Sequence, residues 1–257
     1  MEPIRRRKIV LEGIDPSARS GLEIGPLSRP IVDKRAGYRV KYADHDSTET
    51  LRSRFAHDSN VRVEDIAEVD YVIRNDVGLL DAVGGERFDY ILASHVFEHV
   101  PNPVRWLQEM HALLRPGGRL SLIVPDRRYT FDVIRPQTSL GEWLEAFYTG
   151  RKRPTFSNVF DQNYYWRVVD VGAVWKGKFN PWVLDAPGPK QATLEYAQTA
   201  LASSDYIDVH CNIVTDSEFA FLFAGLRDYG LTEFELLSLR PCERNDNEFF
   251  VQLGKPA

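Results

Sequence analysis

Cysteine is scarce. The two residues, Cys211 and Cys242, are too few for a disulfide scaffold, a four-cysteine zinc site or an iron–sulfur cluster. No run approaches the ~18 consecutive apolar residues of a membrane span, which predicts none. The early basic cluster Arg5-Arg6-Arg7-Lys8 has no apolar stretch behind it. It reads as a solvated terminus rather than a secretory signal, so the expected location is cytoplasmic. Excess positive charge is also missing. Residues 1–136 carry 21 basic and 21 acidic residues, so the net charge of -5 sits wholly in 137–257. Such a balance disfavours a nucleic-acid partner. No Gly/Ser or Pro-rich spacer divides the 257 residues, which predicts one domain over 1–257.

The first half alternates strand and helix signals. Strands are expected over 20–25, 37–43, 69–73, 87–94 and 119–124, with Pro116-Gly117-Gly118 stopping the helix before the last of them. Asp46 or Ser47 is placed to cap a helix carrying Leu51 and Phe55. Pro103 suits the first turn of a helix with Val104 and Leu107 inward. Strands separated by helices argue for crossovers and a largely parallel sheet. The end reads differently. Thr215 and Glu218 form a capping box before a helix over 217–229, and strands over 231–239 and 248–253 suggest an antiparallel edge hairpin. The segment 127–214 is too long for a plain connection. It holds four of the five tryptophans and is expected to form an aromatic-rich insertion or lid.

In open parallel sheets, ligands bind beyond the carboxyl ends of the strands. Glu23-Ile24-Gly25-Pro26-Leu27-Ser28 falls at one such end. Gly25 permits close backbone approach, and Glu23 either meets a cationic ligand group or braces the loop. Asp44 follows the next strand at about the spacing of a ribose-binding carboxylate. Asp76, with the backbone at Val77, follows the third and can read an adenine edge. The loop lacks the second and third glycines of G-x-G-x-x-G, with Leu27 and Arg29 in their region. That argues against a dinucleotide, whose pyrophosphate needs them, and for a nucleoside without phosphate.

Four stretches, LEIGPLSRP (22–30), YADH (42–45), FDYILASHVFEHVPNP (88–103) and LLRPGGRLSLIVPD (113–126), resemble the class I S-adenosylmethionine-dependent methyltransferases, especially those acting on small molecules or glycans. The resemblance covers roughly 20–135 together with the final helix and hairpin. It implies a Rossmann-like α/β sheet, mostly parallel with an antiparallel C-terminal edge. It also implies S-adenosylmethionine as cofactor, held by Glu23, Gly25, Pro26, Leu27, Asp44, His45, Asp76, Val77 and Ser94.

Methyl transfer from a sulfonium is an in-line displacement, so the protein holds donor and acceptor in line and removes a proton where the acceptor requires it. His95, near the expected junction of cofactor and acceptor, is a candidate base. Glu98 and His99 are alternatives that equally suit bracing of the turn. Asp208-Val209-His210-Cys211-Asn212 resembles a histidine-containing segment in methyltransferases encoded among sugar-polymer genes, which makes His210 a second candidate. No metal site is expected, because His210 and Cys211 lack two identifiable further ligands. Arg127, Arg128, Tyr129 and Trp166 are candidate acceptor contacts, with ion pairing and core packing as their structural alternatives. Arg151-Lys152-Arg153 reads as a solvated turn. The expected partner is a small-molecule or sugar-containing acceptor methylated at oxygen, in a monomer or homodimer. The alternative is a non-catalytic methyltransferase-like binding or assembly protein, suggested by the altered glycine loop.

Overall fold

The computed structural model describes residues 3–73, 78–183, 189–203 and 205–257. Strands β1 (Gly21–Ile24), β2 (Val40–Asp44), β3 (Tyr71–Val72), β4 (Phe88–Ser94), β5 (Leu114–Pro125), β6 (Glu235–Arg240) and β7 (Glu248–Gly254) form one sheet in the order β3-β2-β1-β4-β5-β7-β6. The first five are parallel, and β7 pairs antiparallel with both β5 and β6. The expected sheet with an antiparallel C-terminal hairpin is therefore observed.

Strand β4 shows why. Ile91 and Ala93 face one apolar layer, while Tyr90 and Leu92 face the other. A strand covered on both sides has no polar face to alternate with, hence its nearly continuous apolar run. Each fully buried aliphatic side chain here contributes roughly 1.5–3 kcal/mol. The first layer is completed by Val104, Leu107 and Met110 of α4 (Pro103–Leu113) and Phe219, Phe223 and Leu226 of α9 (Asp216–Asp228). Thr215 and Glu218 form the expected capping box of α9.

Two boundaries differ from expectation. Helix α4 ends at Leu113, and β5 starts at once with Leu114, before Pro116-Gly117-Gly118. Leu114 pairs with Phe88, but the next pairing is Tyr90 with Arg119, so Arg115–Gly118 form an irregular excursion within the strand. The Lys255 ammonium, donating to the carbonyls of His111 and Leu114, closes the helix end where a glycine cap was expected. The basic N-terminus is also not free. It forms α1 (Pro3–Val10), where Arg6 donates to Ser94 Oγ at 2.6 Å and to Glu248 Oε1 at 2.7 Å.

The remaining helices are α2 (Thr48–Arg54), α3 (Leu79–Val83), α5 (Leu140–Tyr148), α6 (Phe156–Tyr165), α7 (Val171–Trp175) and α8 (Lys190–Ala202). Those from α5 to α8 lie in the long segment after β5. They bury a small cluster of Val159, Ala197, Ile207 and Val209, while Trp143 of α5 enters the main core. Among the described residues no helix is long and apolar enough to cross a membrane.

Candidate active site

A cavity of about 760 Å³ opens at the carboxyl ends of the parallel strands. That lies within the usual size range of small-molecule sites. Gly25, Leu27, Asp44, His45 and His95 all line it.

The loop after β1 explains how it works without its second glycine. Gly25 has φ +65°, and a Cβ there would come within 2.9 Å of the Val96 side chain. Leu27 has φ +44°. The backbone takes the left-handed turn normally reserved for glycine, at a cost of roughly 1–2 kcal/mol. The Leu27 carbonyl is held by the Ala67 amide at 2.8 Å. The chain path thus survives the substitution that raised the non-catalytic alternative.

Glu23 is 2% exposed, and its carboxylate accepts from the amides of Ile31 at 2.7 Å and Val32 at 3.1 Å. It braces the loop from beneath and does not line the cavity, so of its two expected roles the structure shows the brace. Burial pushes its carboxyl from 4.5 up to about 7, against the two amide bonds and the charges of Arg6 and Arg7. The folded state therefore binds this proton more tightly than the unfolded chain. The stability that follows is full below the ordinary carboxylate range and is lost as pH rises through 7. Glu23→Gln should flatten the rise in unfolding free energy between pH 7.5 and pH 5, a difference of roughly 2 kcal/mol. Urea unfolding at both pH values checks this, and parallel profiles for the two proteins would contradict it.

Asp44 ends β2, buried at the cavity wall, with one oxygen 2.8 Å from the amide and ring Nδ1 of His45. His45 stacks on Tyr206, with ring centroids 4.2 Å apart. Pro26 and Ser94, expected at the cofactor, do not line the cavity, and Ser94 Oγ accepts from Arg6. Asp76 and Val77 lie outside the described residues.

His95 follows β4 with φ +53°, a conformation that costs a non-glycine residue energy and concentrates at functional sites. Its Nε2 lies 2.8 Å from Glu248 Oε2. The bonds from His95 and Arg6 outweigh burial and hold the Glu248 carboxyl down at about 2. The Glu248 hydrogen bond and the charges of Glu98 and Glu248 raise the His95 imidazole above its ordinary value, against burial and the charge of Arg6. With Nε2 held by Glu248, the other ring nitrogen, Nδ1, lies 3.6 Å from the buried Glu98 Oε1.

The other expected contacts are placed differently. His210 is buried away from the cavity lining, with Nδ1 2.5 Å from Asp132. Arg127 makes a two-pronged pair with Glu218 of α9, at 2.9 and 3.0 Å. Arg128 pairs with Asp126 and Asp216. Tyr129 stacks on Trp175 at 4.7 Å, and Trp166 on Phe131 at 4.0 Å. None of these four expected acceptor contacts lines the cavity. Arg151, Lys152 and Arg153, expected to be a solvated turn, do line it, beside Trp106, Phe147 and Ile207. The sequence carries no local signal for Arg6, Glu248 or Tyr206, which reach the site only through long-range pairing.

Residues 1–172 match the model of the methyltransferase-domain family. The chain belongs to that family, the class I S-adenosylmethionine-dependent methyltransferases. A ubiquinone biosynthesis O-methyltransferase of Parvibaculum lavamentivorans is 31% identical over 123 residues, covering 47% of this chain and 45% of that protein. The chain spans about half the length, or less, of the curated relatives it matches. A Rhodobacter sphaeroides structure named as a zinc-dependent alcohol dehydrogenase matches with a TM-score of 0.53 and 17% identity, over 98% of this chain and 90% of that one. At that identity the likeness shows shared architecture alone. A Methanosarcina mazei S-adenosylmethionine-dependent methyltransferase matches at a TM-score of 0.45 and 16% identity, over 96% and 97% of the two chains.

Proposed function

We propose that this protein transfers a methyl group from S-adenosylmethionine to a hydroxyl oxygen of a small acceptor with an apolar body. The observation that carries this reading is the convergence of Gly25, Leu27, Asp44 and His95 on one cavity at the strand ends. The left-handed loop leaves room for the amino-acid part of the cofactor, and the Asp44 carboxylate suits the hydroxyls of its ribose. When bound, the cofactor supplies a methyl group on a positively charged sulfur. The chain's own work is to hold the acceptor in line and to take its proton at His95 Nδ1. Held there, the cofactor would give its methyl carbon to the acceptor oxygen, the electron pair of the carbon–sulfur bond going to sulfur and the hydroxyl proton to His95.

Oxygen as acceptor atom is supported by the O-methyltransferase relatives. Trp106, Phe147 and Ile207 supply an apolar wall, with Arg151, Lys152 and Arg153 beside it to meet hydroxyl or anionic groups. In this reading the segment 127–214 is the insertion that covers the acceptor, contributing Phe147, the basic triplet and Tyr206–Asp208 to the cavity.

Asp44→Ala is the direct test of the cofactor half. Losing hydrogen bonds to a charged group costs about 1.5–3 kcal/mol, so affinity for S-adenosylhomocysteine should fall roughly 10–100-fold. Calorimetric titration of wild type and variant reads this. Equal affinities would remove Asp44 from the site.

A further inference from the structure

Glu98 is 1% exposed, yet neither of its carboxylate oxygens has a hydrogen-bond partner. Other buried carboxylates of this fold are answered: Glu23 by two amides, Asp132 by His210 and Arg135, Glu248 by Arg6 and His95. An unanswered buried carboxylate is costly, so its persistence points to a missing cation.

Three histidines stand beside it, and the Nδ1 of one of them, His95, is 3.6 Å from Glu98 Oε1, beyond hydrogen-bond distance. Potential ligand atoms of Glu98, His99 and His210 all lie within 4.8 Å of one another. His99 Nε2 is 3.8 Å from Glu98 Oε1. The His99 and His210 rings are nearly perpendicular, at 87°, with centroids 4.7 Å apart. His210 Nδ1 is hydrogen-bonded to Asp132 at 2.5 Å, which leaves its Nε2 as the free lone pair. A carboxylate behind an imidazole is how metal-binding histidines are oriented and made more basic. His99 Nδ1 lies 3.0 Å from Asp208 but without hydrogen-bond geometry. Asp132 is itself fixed by Arg135 at 2.7 Å.

The backbone also ties the two ligand segments together. The Glu98 carbonyl accepts from the amides of Cys211 and Asn212. The Asn212 side-chain amide donates to the carbonyls of Phe97 and Val100, at 2.8 Å each. The turn after β4 and the strap before α9 are thus stapled on both sides of the cluster. A tetrahedral site with ~2.1 Å bonds sets its ligand atoms roughly 3.4 Å apart, closer than the 4.8 Å within which these lie.

We infer that Glu98, His99 and His210 bind one divalent first-row cation of the zinc type, with an open coordination position facing the cavity. Two imidazole nitrogens and one carboxylate oxygen are a donor set for zinc and its neighbours, and three protein ligands leave room for a further one. His99 and Asp208 line the cavity, which places the open side toward the acceptor region. Ligation of the acceptor hydroxyl there, lowering its pKa, rests on the proposed methyl transfer. Binding of the ion does not.

The test is a titration of the chelator-treated full-length chain with Zn²⁺ by calorimetry, and with Co²⁺ by visible absorption. One ion per chain is expected, with d–d bands of nitrogen- and oxygen-ligated Co²⁺. Glu98→Gln and His99→Ala should each weaken binding at least 100-fold, and Asp132→Asn roughly 10–100-fold, as for residues behind the ligands. Circular dichroism checks that each variant is folded. If Glu98→Gln unfolds, the half-buried His99→Ala still decides. Absence of saturable binding to the wild type overturns the inference, as does binding that survives in the folded ligand variants. The titration needs neither cofactor nor acceptor, so its failure leaves the methyl-transfer reading standing, and the converse holds.

Discussion

Trp143→Ala should lower the free energy of unfolding by about 3–5 kcal/mol, the usual range for removing a buried tryptophan. Trp143 is 1% exposed and sits where the post-β5 helices meet the main core. Its ring makes edge contacts with Phe97 and Phe219, at 5.8 and 6.4 Å between centroids. Its indole N–H donates to Asn212 Oδ1 at 2.8 Å. Truncation therefore removes aromatic packing and strands a buried acceptor, so cavity and desolvation costs add. Because Asn212 clamps the turn carrying Glu98 and His99, the loss should also loosen the cavity wall. Trp143→Phe keeps most of the volume but not the donor, and should cost about 1–3 kcal/mol through the unpaired oxygen alone. Denaturant titration at constant slope separates the two variants. A Trp143→Ala loss below that of Trp143→Phe would contradict this account of the junction.

His95→Ala should cut kcat by about 10²–10⁴-fold, the span of general-base catalysis, while affinity for S-adenosylhomocysteine changes little. The motive is the alignment of Glu248, His95 Nε2 and the remaining Nδ1 at a strained strand end beside the cavity. A base acts on the acceptor proton, so its loss belongs in turnover rather than in cofactor binding. A panel of phenols and sugars, assayed for methyl incorporation under saturating cofactor, identifies the acceptor for this comparison. Unchanged kcat in His95→Ala would remove His95 as the base. A loss confined to cofactor affinity would place it against the wrong ligand.

Several parts of the fold were legible because their physics is local. The Thr215–Glu218 capping box, the Ser47 cap of α2 and the apolar run of β4 each declare themselves within a few residues. The hairpin of β6 and β7 follows from two short strands and a tight connection. What was not legible is pairing across the chain. Arg127 and Arg128 do follow β5 at the ligand end of the sheet. Arg128 meets its neighbour Asp126, the ion pairing open to the sequence, but Glu218 for Arg127 and Asp216 for Arg128 come only with α9, some 90 residues later. Tyr129 and Trp166 suit acceptor contact or packing alike in sequence, since an aromatic residue serves a core and a binding wall equally well, and they stack on Trp175 and Phe131. The basic stretch Arg5–Lys8 has no amphipathic pattern to announce docking. Arg6 is drawn in by a buried Glu248 that lies 242 residues away.

The glycine loop shows the limit of motif reading in the other direction. Counting glycines finds a defect at Leu27, while the backbone there keeps the left-handed turn at a tolerable cost. The path of the chain, rather than the residue type, decides whether a nucleoside cofactor fits. The account therefore stands on where that cofactor sits. Crystals grown with S-adenosylhomocysteine measure it directly. Electron density for the nucleoside is predicted between the 25–27 loop and Asp44, with its sulfur toward His95. Density at any other surface, or none at saturating concentration, would contradict it.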